Sequence, residues 1–201
     1  MKKKKIILAS TSPGRHFLAE KMGLDFDIVP SNYEEDMKMK MKPGRLVKTL
    51  ALGKAEDVAK RFKKGIVIGV DTIVVFKGKK LGKPKSEQES YESLVSFSGK
   101  SQRIYSGMAL IDCETGKKIV SYDYTKVKFR KMDDIEIRKY IATGEPMSKA
   151  GSYAIQGLGS IFIESIKGCY PNAMGLPVHR LNKNLKKMGV NIFEYSKWKR
   201  K

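Results

Sequence analysis

Between Ile66 and Phe76 eleven residues are apolar apart from Gly69, Asp71 and Thr72, and no other pattern restricts the fold of this chain as much. A short apolar run rich in β-branched residues reads as a buried strand, here carrying a polar interruption. A carboxylate at that place is penalised by desolvation unless it meets a cation, a metal or a substrate proton. The bland alternative is a carboxylate paired with a nearby lysine.

Around this run, strand-like and helix-like segments alternate with short connections, which predicts a mixed α/β fold around one sheet. Strands are expected at 5–9 and 26–29, a helix at 13–22 ended by Gly23, and a turn at 77–79. Residues 43–62 place Leu46, Leu50, Ala51, Ala55, Val58 and Phe62 near helical spacing, with Pro43 at the start and Gly65 beyond the end. A helix over 86–97 follows Pro84 and carries Glu87 and Glu89 in its first turn. Residues 103–112 and 118–130 read as a hairpin around Glu114-Thr115-Gly116, the second strand alternating Thr125, Val127 and Phe129 with Lys126, Lys128 and Arg130. A short helix over 133–142 is capped by an aspartate and closed near Gly144; a strand at 161–163 and a helix from 176 or 177 to 188 complete the expectation.

With 201 residues the chain is read as one domain over 1–201, with a basic tail from about 196 that frays. No apolar run approaches the roughly 18–20 residues that span a bilayer, so no membrane partner is expected. Lys2 to Lys5 followed by Ile6 to Ala9 imitates the start of a signal peptide, but Ser12-Pro13 ends the apolar stretch too early. A cytoplasmic location is expected. Cys113 and Cys169 have no Cys or His at metal spacing, which argues against a disulfide framework and a zinc site. The formal charge of +20 attracts polyanions, nucleotides and nucleic acid alike. Aromatics are not interleaved with the lysine runs along the chain, so nucleic acid is not the expected partner.

Candidate chemistry begins where the first strand runs into Ser10-Thr11-Ser12-Pro13-Gly14-Arg15. Pro13 suits the first helical turn, Ser12 stands at the N-cap, and the free N–H groups with Ser10, Ser12 and Arg15 form a place for an anion. An ordinary capped helix is the alternative. Glu34-Glu35-Asp36, on a loop opened by Pro30, joins Asp71 as a source of the one or two carboxylates that hold Mg²⁺ while phosphates and water fill its other positions. Lys54 lies beside Ala51 and Ala55, Lys83 between Gly82 and Pro84, and Lys149 in a glycine-bounded segment; with Arg15 they would neutralise a polyphosphate if gathered in one place. Familiar nucleotide motifs are absent. Gly99-Lys100-Ser101 lacks the leading glycine of a Walker A loop, where Leu94 stands, and Gly157-Leu158-Gly159 has Phe162 where a dinucleotide fingerprint needs glycine.

Taken in order, the segments Leu8-Ala9-Ser10-Thr11-Ser12-Pro13-Gly14-Arg15, Glu34-Glu35, Lys54-Ala55, Gly69-Val70-Asp71-Thr72, Gly82-Lys83-Pro84, Ser98-Gly99, Lys149-Ala150-Gly151, Ile155-Gln156-Gly157 and Gly175-Leu176-Pro177 resemble the Maf family, the septum-formation-inhibitor-like nucleotide pyrophosphatases. The resemblance implies an elongated, strongly twisted mixed sheet with helices on it, two lobes around a central cleft, and commonly a homodimer. It also implies hydrolysis of nucleoside triphosphates to monophosphate and pyrophosphate with a divalent metal, Mg²⁺ or Mn²⁺, and a role in nucleotide-pool cleaning or cell-division arrest. Residue by residue, it puts catalysis and metal binding on Asp71 and Glu35, and substrate contacts on Ser10, Ser12, Arg15, Lys54, Thr72, Lys83, Lys149 and Gln156, the last toward the base. Thr72 after the aspartate resembles the branch acting on dTTP and UTP. Gly14 stands where arginine is common and Ser148 where aspartate is usual, departures that bear on phosphate contacts and metal stoichiometry. The rival reading is a basic nucleic-acid-binding or partner-binding division regulator, distinguished by salt-sensitive oligonucleotide binding or partner contacts without hydrolysis.

Overall fold

The computed structural model describes residues 3–36 and 39–198. Lys2 of the opening lysine run and Lys199-Arg200-Lys201 of the basic tail lie outside the described residues. The elements run β1 (Ile6–Ala9), α1 (Pro13–Lys21), β2 (Asp27–Ile28), α2 (Pro43–Ala59), β3 (Ile66–Phe76), β4 (Lys79–Leu81), α3 (Glu87–Phe97), β5 (Ser101–Asp112), β6 (Lys118–Phe129), α4 (Asp134–Ala142), β7 (Ile163–Lys167), α5 (Tyr170–Ala173) and α6 (Val178–Lys187). The strands form one seven-stranded mixed sheet in the order β2-β1-β3-β5-β6-β7, with β4 on β3, so the fold is the mixed α/β arrangement read from the alternation. β1 is parallel to β2 and β3, whereas β4 on β3 and β7 on β6 are antiparallel.

The chain divides into two compact units. The first comprises residues 1–72, 106–123 and 174–201, the second 73–105 and 124–173, so β3, β5 and β6 each contribute to both. In the first unit α2 buries Leu46, Val47, Leu50, Ala51, Ala55 and Val58 completely. Its inner face packs with Ile7, Ala9, Val67, Ala109 and Ile111 in one core. Two glycines let this helix lie unusually close to the strands. A Cβ on Gly69 of β3 would stand 2.2 Å from the Ala51 carbonyl oxygen, and one on Gly107 of β5 would stand 2.0 Å from that of Val47. Such contacts have no room for a side chain, and they set α2 directly above the polar interruption in β3.

In the second unit the core is aromatic. Phe97 of α3 meets Phe76 at 5.0 Å and Phe129 at 5.3 Å between ring centroids, and Phe129 meets Tyr153 at 4.9 Å. The helix starts follow their side chains: Ser86 accepts from the Glu89 N–H, and Asp133 with Glu136 forms a reciprocal capping box. Lys77 and Gly78, both at positive φ (47° and 79°), turn β3 into β4.

Three local expectations are corrected. The helix expected over 43–62 ends at Ala59, because Arg61 and Phe62 take three-residue turn bonds to Val58 and Ala59. The strand expected at 161–163 begins only at Ile163; Leu158–Phe162 is a 3-10 turn whose Leu158 and Gly159 N–H groups donate to the Glu145 carboxylate. Ser12 occupies the N-cap of α1, but its side chain makes no capping bond, and its backbone carbonyl accepts from Arg15 and His16 instead.

Candidate functional site

β1 pairs with residues 66–69 of β3 and β4 with residues 74–76, so residues 70–73 have neither as a ladder partner. Asp71 and Thr72 lie in that interval. Asp71 is 3% exposed, and its Oδ1 accepts from Lys54 Nζ at 2.7 Å. Its Oδ2 is buried with no hydrogen-bond partner. Lys54 Nζ also stands 2.6 Å from Glu35 Oε1, so one ammonium joins a strand carboxylate to a loop carboxylate. Lys54 comes from α2, and the close approach at Gly69 brings it over β3.

Glu35 sits on a loop without regular structure, and a staple that sequence reasoning missed holds it. Asp57 of α2 accepts from the Asn32 N–H at 2.8 Å, the Ser31 hydroxyl at 3.1 Å and Arg61 at 2.6 Å. Arg61 in turn donates to the Pro30 carbonyl at 2.9 Å. The bond from the Asn32 N–H, then that from Ser31 and the charge of Arg61, hold the Asp57 carboxyl below its ordinary value. The Tyr33 ring packs against the helix at Gly53, where an added Cβ would stand 2.4 Å from it. The readable signal was the Asp57–Arg61 pair at (i, i+4) across the C-terminal end of the expected helix.

Arg15, 7% exposed, holds the other side of the cluster. Its Nε donates to the Gly175 carbonyl at 2.9 Å, and its two terminal nitrogens donate to Ser10 Oγ at 3.1 Å and Thr72 Oγ1 at 3.0 Å. Thr72 Oγ1 also meets Ser106 Oγ at 3.0 Å, a contact that spacing along the chain did not suggest. Burial pushes the Arg15 guanidinium below its ordinary value, and the charges of Asp71 and then Glu35 oppose that shift. Ser10 Oγ accepts from the Ser12 N–H at 3.1 Å, which shapes the turn between β1 and α1. His16 Nε2 lies 2.8 Å from the Ser10 carbonyl, satisfied within this turn.

Ser10, Ser12, Arg15, Glu35, Lys54, Asp71 and Thr72 therefore gather on the first unit. Lys83, Lys149 and Gln156 belong to the second. There the Gly151 N–H donates to the Gly82 carbonyl at 3.0 Å, tying the turn after Lys149 to the segment that carries Lys83. Gly151 takes φ 76° with Val74 Cγ1 3.3 Å from where its Cβ would be, and the next residue, Ser152, is also at positive φ. Gln156 is exposed on the following turn.

Among the described residues no group of three or more His, Cys, Asp and Glu is placed to hold a metal by itself. The donors present fit a hard divalent cation that arrives with phosphate. Two carboxylates already share one cationic centre, so Glu35 and Asp71 lie close enough to hold a single divalent cation whose other positions phosphate oxygens and water would fill.

Comparison with known proteins bears on this arrangement. A family model described as "Maf-like protein" matches residues 5–188. The chain belongs to the Maf family. The proteins it resembles include the dTTP/UTP pyrophosphatase of Desulforamulus reducens, 45% identical over 93% of this chain and 98% of the relative. That of Clostridium tetani is 47% identical over 92% of this chain and 98% of its own. That of Ruminiclostridium cellulolyticum is 42% identical over 94% and 98%. The Maf match spans every element from β1 to α6.

Proposed function

We propose that this Maf protein is a nucleoside triphosphate pyrophosphatase that cleaves the α-β phosphoanhydride of dTTP and UTP, giving the monophosphate and pyrophosphate. The observation that carries the reading is the buried, unpartnered Oδ2 of Asp71 beside the Lys54–Glu35 pair. Relatives of nearly the same length named dTTP/UTP pyrophosphatase support the substrate, as does Thr72 after the aspartate.

In this reading Glu35 and Asp71 would hold a divalent metal, Mg²⁺ or Mn²⁺, which would supply positive charge to the phosphate oxygens. Asp71 Oδ2 accepts the proton of a water as its oxygen bonds to the α-phosphorus; the bond from that phosphorus to the bridging oxygen breaks, and pyrophosphate leaves with the bonding electrons. Ser10, Ser12 and the Gly14 N–H, the one donor in the first turn of α1 that the Ser12 carbonyl does not take, receive phosphate oxygens. Arg15 keeps Ser10 and Thr72 in place for this and has one further N–H on each terminal nitrogen. Lys54, Lys83 and Lys149 stabilise the charge that builds on the leaving group, and phosphoryl transfer depends chiefly on such electrostatic stabilisation. Gln156 contacts the base. Residues 1–201 act as one Maf-like domain, in a cytoplasmic homodimer. Among the described residues no helix is long and apolar enough to cross a membrane.

The experiment is a panel of canonical and modified triphosphates with Mg²⁺ or Mn²⁺, read by separate assays for pyrophosphate and orthophosphate. Pyrophosphate in equal yield with monophosphate, fastest for dTTP and UTP, is expected. Orthophosphate with diphosphate, or no turnover of any triphosphate, would overturn the reading.

A further inference from the structure

The second unit carries a feature that this hydrolysis does not use. Along β5, Ser101, Arg103 and Tyr105 alternate onto one face of the sheet; along the neighbouring β6, Tyr124, Lys126 and Lys128 do the same. Pairing of the two strands stacks Tyr105 on Tyr124, with ring centroids 5.7 Å apart and planes 29° apart. The opposite face of these strands is closed by the Phe76, Phe97, Phe129 core, whereas Tyr124 remains 52% exposed and Arg103, Lys126 and Lys128 are exposed. Next to the stacked rings, Val75, Lys77, Ser101, Arg103 and Lys126 line a cavity of about 260 Å³ with no acidic residue in its wall. Lys128 is paired with Glu164 at 2.5 Å, but among the described residues no carboxylate stands within ion-pair distance of Lys77, Arg103 or Lys126.

Three unneutralised cations around a cavity attract an anion, and a stacked aromatic pair beside them offers a surface for planar rings. A polymer of phosphates bearing bases matches both at once, since cations track its backbone while tyrosines take the bases in single-stranded form. Two strands 19 residues apart in sequence at these tyrosines bring the rings together, so the interleaving of aromatic and basic residues arises from strand pairing and not from spacing along the chain. The hydroxyl of Ser101 in the cavity wall adds a partner for a ribose 2′-OH, the group by which proteins tell RNA from DNA. We propose that this open sheet face binds single-stranded RNA, through Tyr105 and Tyr124 by stacking and through Lys77, Arg103 and Lys126 by charge.

The test uses the full chain and a fluorescent rU20, with anisotropy measured over a salt series. Tyr124→Ala is expected to weaken rU20 binding about 5- to 100-fold while leaving displacement by inorganic polyphosphate unchanged. Arg103→Ala with Lys126→Ala is expected to reduce the slope of log K against log salt by about 1.4, about 0.7 for each cation on a single strand. Both variants are expected to hydrolyse triphosphate at the wild-type rate, which reports the fold and keeps this result separate from the pyrophosphatase reading. Unchanged rU20 affinity in Tyr124→Ala would overturn the proposal. So would equal affinity for dT20, which would remove the RNA preference, or a fall in oligomer size in Tyr124→Ala, which would assign the face to a second copy of the chain.

Discussion

Lys54 donates to Asp71 Oδ1 at 2.7 Å while the second oxygen of the same carboxylate is buried and unpartnered. The lysine side chain is 12% exposed and the aspartate 5%, so this pair sits largely out of water. Removing one partner of such a pair leaves the other charge uncompensated. Lys54→Met is therefore expected to cost about 3 kcal/mol of stability and to abolish turnover. Urea unfolding checks the first part, and combining the change with Asp71→Asn checks its origin: the double variant should lose clearly less than the sum of the singles. Strict additivity would mean that the two residues do not interact.

Arg15 spans three partners, Ser10, Thr72 and the Gly175 carbonyl, through a planar fork. A lysine keeps the charge and loses the fork. Arg15→Lys should lower kcat/KM for dTTP on the order of 100-fold, about 2.7 kcal/mol. A value within twofold of wild type would show that charge alone is needed there.

The loop bearing Glu35 depends on Asp57, whose carboxyl is held below its ordinary 3.8 chiefly by the Asn32 N–H. A lowered folded-state value means that the stabilising contribution is fully present above the unfolded value and disappears as pH falls through the folded one. Asp57→Asn should be less stable than wild type at pH 6, with the difference shrinking progressively below about pH 4. Parallel pH profiles in urea unfolding would contradict this origin of the staple.

Local side-chain chemistry made much of the fold legible. Ser86 and Asp133 start their helices, Gly23 closes α1 at φ 62°, and the alternation of 125–129 matches the buried and exposed faces of β6, which ends before Arg130. The failures have distant causes. Ile161-Phe162-Ile163 has the composition of a strand, but the Glu145 carboxylate captures the Leu158 and Gly159 N–H groups and winds the segment into a turn. At the candidate site the residue types and the strand interruption could be read from the chain. The joining of Glu35 to Asp71 through Lys54 could not, since the three lie on a loop, a helix and a strand whose approach is decided by Gly69 and Gly107. Ser106 and the Asp57 staple were hidden for the same reason: their partners lie 34 and 25 residues away.

Asp71→Asn tests the account most directly, because it keeps the shape of the side chain and removes the oxygen that would take a proton from water. Pyrophosphate release from dTTP with Mg²⁺ should fall about 1,000-fold while the far-UV circular dichroism stays that of the wild type. Turnover at the wild-type rate by the folded variant would contradict the account.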